Sequence, residues 1–198
     1  LLPPDLGLVG RAPQVIQKLQ ALGLNVQEVD ALSIEEVRSV LQRLDGLLDT
    51  QAAPAVIAAM DQKLDALREQ AAKIPAQRVY IELDAALYSA APSSFIGELL
   101  ALLGAQNIAA ASTTAYPKLS PEYVVQHAPE LIIQTYSQGA HAVHTRPGWH
   151  RIPALEHGRI CPLTAEERRI ATRPGPRLAE AAELILRCLR MPYRERTA

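Results

Sequence analysis

The stretch from Pro54 to Lys73, PAVIAAMDQKLDALREQAAK, places Val56, Ile57, Met60, Leu64, Leu67 and Ala71 at intervals of three or four, the period of a helix that buries one face. It contains no glycine, and its proline stands at the start, where a missing N–H does no harm; Pro75 stops it. This is the longest helix the sequence predicts. Before it, Leu6–Val9 reads as a short strand, Pro13–Leu22 as a helix closed by Gly23, and Leu24–Val29 as a second strand. Ser33-Ile34-Glu35-Glu36 then forms a capping box that opens a helix reaching about Leu48. After it, strands are expected at Arg78–Leu83, Asn107–Ala111, Leu131–Tyr136 and Arg159–Leu163. Helices are expected at Ser94–Leu103, from Ser120-Pro121 to Pro129, around Trp149–Leu155 and at Arg177–Leu189. Strands that alternate with helices argue for an α/β fold with mostly parallel sheets, and the long helix divides two such units.

The 198 residues, 48% of them hydrophobic, suffice for one large domain or two modest lobes. Lys and Arg number 20 against 21 Asp and Glu, so the chain lacks the basic footprint of a non-specific nucleic-acid or polybasic membrane binder. The apolar stretch Phe95–Leu103 is far shorter than the roughly 20 residues a membrane span needs, and Glu98 interrupts it. The start, Leu1-Leu2-Pro3-Pro4-Asp5-Leu6, has neither an initiator Met nor the zones of a signal peptide and reads as a piece of something longer. Cys161 and Cys188 are too far apart for a CxxC motif and too few for a disulfide scaffold; buried free thiols are the plain reading, with one disulfide left open.

No GxGxxG, GxxxxGK[ST] or GxSxG motif occurs, so phosphate-cradle and nucleophile-elbow chemistry lack support. His141 and His144 lie in an expected loop and would ligate a metal only with a carboxylate beside them. Tyr88 and Tyr116 fall in small-residue loops that follow strands, where open α/β sheets bind ligands, and each offers an aromatic face and a hydroxyl. Trp149, the sole tryptophan, is either a buried loop anchor or a stacking surface. Glu122 occupies a first helical turn, where its charge suits the dipole and could also meet an arginine of another protein. Arg173-Pro174-Gly175-Pro176-Arg177 reads as a rigid helix entrance whose Arg177 holds a carboxylate or a carbonyl.

Together several passages resemble the metal-chelate solute-binding proteins of ABC importers, most closely the cobalamin-binding branch. They are Leu2-Pro3-Pro4-Asp5-Leu6, Leu19–Val26 with Ser33–Glu36, Ser94–Leu100 with Gly104–Ile108, Tyr116–Glu122 with Ala128–Ile133, Arg146–Trp149, Ala154–Ile160 and Arg173–Arg177. Ala105 stands where that family usually has a second glycine. The resemblance implies two Rossmann-like lobes joined by the single long helix, the first lobe incomplete. The divisions are a partial N-terminal lobe at 1–51, a linker helix at 52–75 and a C-terminal lobe at 76–198. It implies an extracytoplasmic, non-enzymatic protein that captures cobalamin, haem or a ferric siderophore in the cleft and delivers it to a membrane permease. No resident cofactor is implied. A metal-dependent, chelatase-like enzyme using His141 and His144 is the rival.

Residue by residue, the match assigns ligand contacts to Tyr88 and Tyr116 and permease docking to Glu122. The ligand loop after the last strand falls around Ala165, Glu166 and Glu167, so Glu166 joins Trp149 as a further ligand candidate. An aromatic that faces the ligand in this branch is replaced by Gly10. The branch's disulfide would join Cys188 to a position held here by Leu103, which leaves Cys161 as the only partner open to it.

Overall fold

A computed structural model describes residues 6–10, 12–136 and 143–193. It has two parallel sheets. The first pairs β1 (Gly7–Val9) with β2 (Val26–Glu28), with α1 (Pro13–Ala21) between them. The second has the order β4-β3-β5-β6, with β3 at Arg78–Glu82, β4 at Gln106–Asn107, β5 at Leu131–Gln134 and β6 at Ile160–Pro162. Every pairing in it is parallel. Strands buried on both faces read as near-continuous apolar runs, as in Leu131-Ile132-Ile133.

Between the sheets run α2 (Ile34–Leu48) and the 19-residue α3 (Ala53–Ala71). The long helix lies within one residue of the expected start and ends two residues earlier. Pro75 biases Ile74 away from helical geometry, and the Ile74 amide turns back to the Ala71 carbonyl at 2.8 Å. Met60, Leu64, Leu67 and Ala71 bury their face in the larger core. That core also takes Val79, Ile81, Leu131 and Ile133 from one face of the second sheet, and residues of α4 (Phe95–Leu102) and α8 (Leu178–Leu189). Lys63 adds an ion pair to Glu183 of α8 at 2.8 Å. The opposite sheet face, with Tyr80, Ile132 and Ile160, packs on Val124 of α5 (Pro121–His127), a 3-10 turn at Trp149–Arg151 and α6 (Pro153–Glu156).

Three local expectations change. At α2 the Ser33 hydroxyl accepts from the Glu36 amide at 3.0 Å, but the Glu36 carboxylate accepts from Leu32 instead of Ser33. The amide of Ile34 donates across to Glu98 of α4 at 2.7 Å, so the charge that interrupts the apolar Phe95–Leu103 stretch caps a helix of the first unit. Strand β4 stops at Asn107, because the Asn107 side chain accepts from the Ala109 amide and curls the chain out of the ladder. The residues expected to form a loop after β6 are instead α7 (Ala165–Ala171), opened by a capping box between Thr164 and Glu167.

Cys161 and Cys188 form a disulfide with Cα atoms 5.7 Å apart, which replaces the plain reading of two free thiols. The cause is tertiary: α8 packs its Cys188 face onto the sheet face that carries Cys161. Among the described residues, no helix is long and apolar enough to cross a membrane.

Candidate functional site

In a parallel sheet every strand ends on the same edge, so the following loops gather there. The loop after β3 is built by Asp84, whose carboxylate accepts from the amides of Ala86 (2.9 Å) and Tyr88 (3.3 Å). It then runs antiparallel to the segment before α5. Ser89 donates to Pro117 and Ala91 to Ala115, each at 2.8 Å, and Leu119 donates to Leu87 at 3.0 Å, around a Tyr88–Lys118 bridge. This register makes Tyr88 and Tyr116 diagonal neighbours across the ribbon, a relation that spans about 7–8 Å. Both rings are partly open to solvent, at 41% and 36% exposure. The structure thus brings the two tyrosines to one short ribbon. A close approach stabilises its base: a β-carbon on Gly97 of α4 would lie 2.0 Å from the Ala91 carbonyl oxygen.

Beneath this edge lies a buried polar cluster that sequence reading missed. Glu82 and Gln134 end β3 and β5 in register and are fully buried. Arg146 reaches Glu82 at 2.5 Å and donates to the Tyr136 hydroxyl at 2.9 Å, while the Gln134 amide donates to Glu82 at 2.9 Å. Burial, then the neighbouring Glu82 charge, holds the Tyr136 phenol above its usual range, and the same two causes act more strongly on Tyr80. The only sequence signal was polar residues at the ends of otherwise apolar strands.

Trp149 is completely buried, with the Arg146 guanidinium 4.4 Å from its ring centroid and Tyr80 packed edge-on at 6.1 Å. This burial leaves no ring face for a ligand and makes the residue the loop anchor. Glu166 stands exposed on the first turn of α7, 3.4 Å from both Arg169 and Arg177. Arg177 also clasps Glu180 at 2.8 Å, which holds that carboxylate below its usual range. Glu122 is exposed at the start of α5, where Ser120 caps the helix through the Tyr123 amide. It lines a cavity of about 430 Å³ with Pro121, Val125, Pro147 and Gly148. His141 lies outside the described residues, and His144 is exposed. Among the described residues no group of three or more His, Cys, Asp or Glu could hold a metal ion.

The sequence profile described as periplasmic binding protein matches residues 4–167. The chain belongs to the periplasmic binding protein family. Within this family it is 30% identical, over 92% of its length, to an uncharacterized ABC transporter substrate-binding lipoprotein of Bacillus subtilis, and it spans 60% of that relative. It is 26% identical, over 98% of its length, to the vitamin B12-binding protein of Vibrio cholerae, of which it spans 71%. Its fold matches that of a possible iron-binding, periplasmic solute-binding protein from Staphylococcus epidermidis. The TM-score is 0.81 at 23% identity, over 95% of this chain and 77% of that one. The periplasmic-binding-protein fold therefore accounts for the two parallel sheets with the long helix between them.

Proposed function

We propose that this chain belongs to an extracytoplasmic solute-binding component that captures cobalamin or a related metal chelate and presents it to the permease of an ABC importer. The observation that carries this reading is the ribbon at the carboxyl edge of the second sheet, which exposes Tyr88 and Tyr116 together. Two amphipathic rings on a hydrogen-bonded ribbon offer a flat ligand stacking and hydroxyl contacts at small entropic cost. Similarity to a vitamin B12-binding protein supports the ligand class, and the Cys161–Cys188 disulfide suits an oxidising compartment. Glu122, exposed and without an ion pair among the described residues, would meet an arginine of the permease through a charge-assisted contact.

Haem and ferric siderophore are the alternative ligands of the same site. Membership of a binding-protein family favours capture over chelatase chemistry. The test is a titration of the whole protein to which this chain belongs with cyanocobalamin, haemin and a ferric hydroxamate, followed by absorbance. Saturable binding of at least one is expected. Tyr88→Ala and Tyr116→Ala should each weaken it by roughly tenfold, the loss of about 1.5 kcal/mol of aromatic contact. His141→Ala/His144→Ala should leave it unchanged. Absence of binding by all three, or loss of binding in the histidine variant alone, refutes the reading.

A further inference from the structure

Among the described residues the non-glycine positions with a positive φ are Asp49, Gln51, Leu87 and Ala128. Asp49 and Ala128 close α2 and α5 in the left-handed conformation common at helix ends, and Gln51 is exposed in the link between α2 and α3. Leu87 is different: it sits at φ +67° with a large apolar side chain that is buried, and it immediately precedes Tyr88 of the candidate site. A left-handed backbone is strained for a leucine, whereas glycine adopts it freely and asparagine at little cost. A corner that needed only to turn would be better served by either.

What the leucine adds is an anchor. Its amide donates to the Asp84 carbonyl at 3.2 Å and its carbonyl accepts from the Leu119 amide at 3.0 Å, while its side chain joins the buried cluster of Tyr80, Leu119, Ile132 and Trp149. Burial of that side chain offsets the strain, the two being of similar size. Side chains alternate between the two faces of a ribbon, and from this corner the alternation runs unbroken: Leu87 and Ser89 are buried with Pro117 and Leu119, whereas Tyr88 is exposed with Tyr116 and Lys118. Tying Leu87 to the core therefore fixes the phase that puts both tyrosines on the open face.

We infer that Leu87 is a positioning residue for ligand capture, whose strained, core-anchored backbone holds Tyr88 in its binding orientation before the ligand arrives. This rests on the proposed capture of metal chelates by the tyrosine ribbon and adds to it a residue that touches no ligand. A ring already held in place loses less freedom on binding, so loosening the corner should weaken affinity through Tyr88 alone.

The experiment titrates the whole protein to which this chain belongs with cyanocobalamin, haemin and a ferric hydroxamate, followed by absorbance, in a double-mutant cycle of Leu87→Gly and Tyr88→Ala. Leu87→Gly keeps the backbone conformation accessible and removes the anchor. For a chelate that binds, it should weaken affinity by roughly three- to tenfold, up to the loss caused by Tyr88→Ala. In the Tyr88→Ala background the same change should alter affinity by less than about twofold, while the melting temperature falls equally in both backgrounds. Leu87→Met retains an apolar anchor and should bind within about threefold of the unsubstituted protein. A leucine with only a structural role would lower melting and leave the affinity of the folded protein unmoved. That result, an equal affinity loss with and without Tyr88, or a Leu87→Met variant as weak as Leu87→Gly overturns the inference and leaves chelate capture standing. Should Leu87→Gly not fold, backbone relaxation of the unliganded protein decides: an order parameter of about 0.85 at Tyr88 is expected, and one below about 0.6 refutes preorganisation. Failure of all three chelates to bind the unsubstituted protein overturns both readings.

Discussion

Removing Arg146 should destabilise the fold strongly, because it strips a buried carboxylate of its counter-charge. Glu82 has no solvent access, and the Arg146 side chain retains only 17% of its own. In Arg146→Met the carboxylate keeps only neutral partners, the Gln134 amide at 2.9 Å and the Tyr136 hydroxyl, and the Tyr136 hydroxyl loses its charged donor. Breaking one side of a buried pair costs about 3–5 kcal/mol, against a total stability of about 5–15 kcal/mol. At about 2–4 °C per kcal/mol for a chain of this size, melting should fall by about 6–20 °C. Glu82→Leu/Arg146→Met removes both desolvation penalties and should recover most of the loss, giving a coupling of about 2 kcal/mol or more in the double-mutant cycle. Urea unfolding reads this directly, since Trp149 is the sole tryptophan and packs against Arg146. A loss under about 1 kcal/mol in the single variant, or simple additivity in the cycle, would show that solvent reaches the cluster and that the burial argument is wrong.

Other outcomes follow from the same contacts. The Cys161–Cys188 bond closes 27 residues of sequence, so Cys161→Ala/Cys188→Ala should lose about 3.5 kcal/mol on the chain-entropy estimate, read by denaturation with and without reductant. Gly97→Ala forces a β-carbon to 2.0 Å from the Ala91 oxygen. The backbone must move, so a loss of about 1–3 kcal/mol and a displaced tyrosine ribbon should appear in melting and in amide spectra of residues 88–91. The hydrogen bond from Arg187 lowers the Glu167 carboxyl from 4.5 to about 2. A depressed folded-state value means its stabilisation is complete above pH 4.5 and disappears as pH falls toward 2. Arg187 is half exposed, so screening limits the effect to about 1 kcal/mol; Arg187→Met should flatten that part of the stability profile.

Much of the architecture was legible locally. Val56 to Ala71 announced a long amphipathic helix; Ser94 and Ser120 announced helix starts; Gly23 and Gly104, at φ of +78° and +71°, announced ends. The capping box at Thr164 and Glu167 was equally readable, yet α7 was missed because Ile170 and Ala171 alone carry too little apolar periodicity. Tyr88 and Tyr116 could be nominated from their position after strands, but nothing local said that their loops zip together.

Hydrogen bonds and side-chain periods spanning three or four residues are written into neighbouring letters, which is why α/β alternation, the long divider and the order of elements come straight from the chain. The disulfide, the Glu82–Arg146 pair, the Glu98 cap on α2 and the complete burial of Trp149 depend on the strand order β4-β3-β5-β6. Strand order is set by long-range packing, and that packing alone decides which distant polar groups lose water and must find each other.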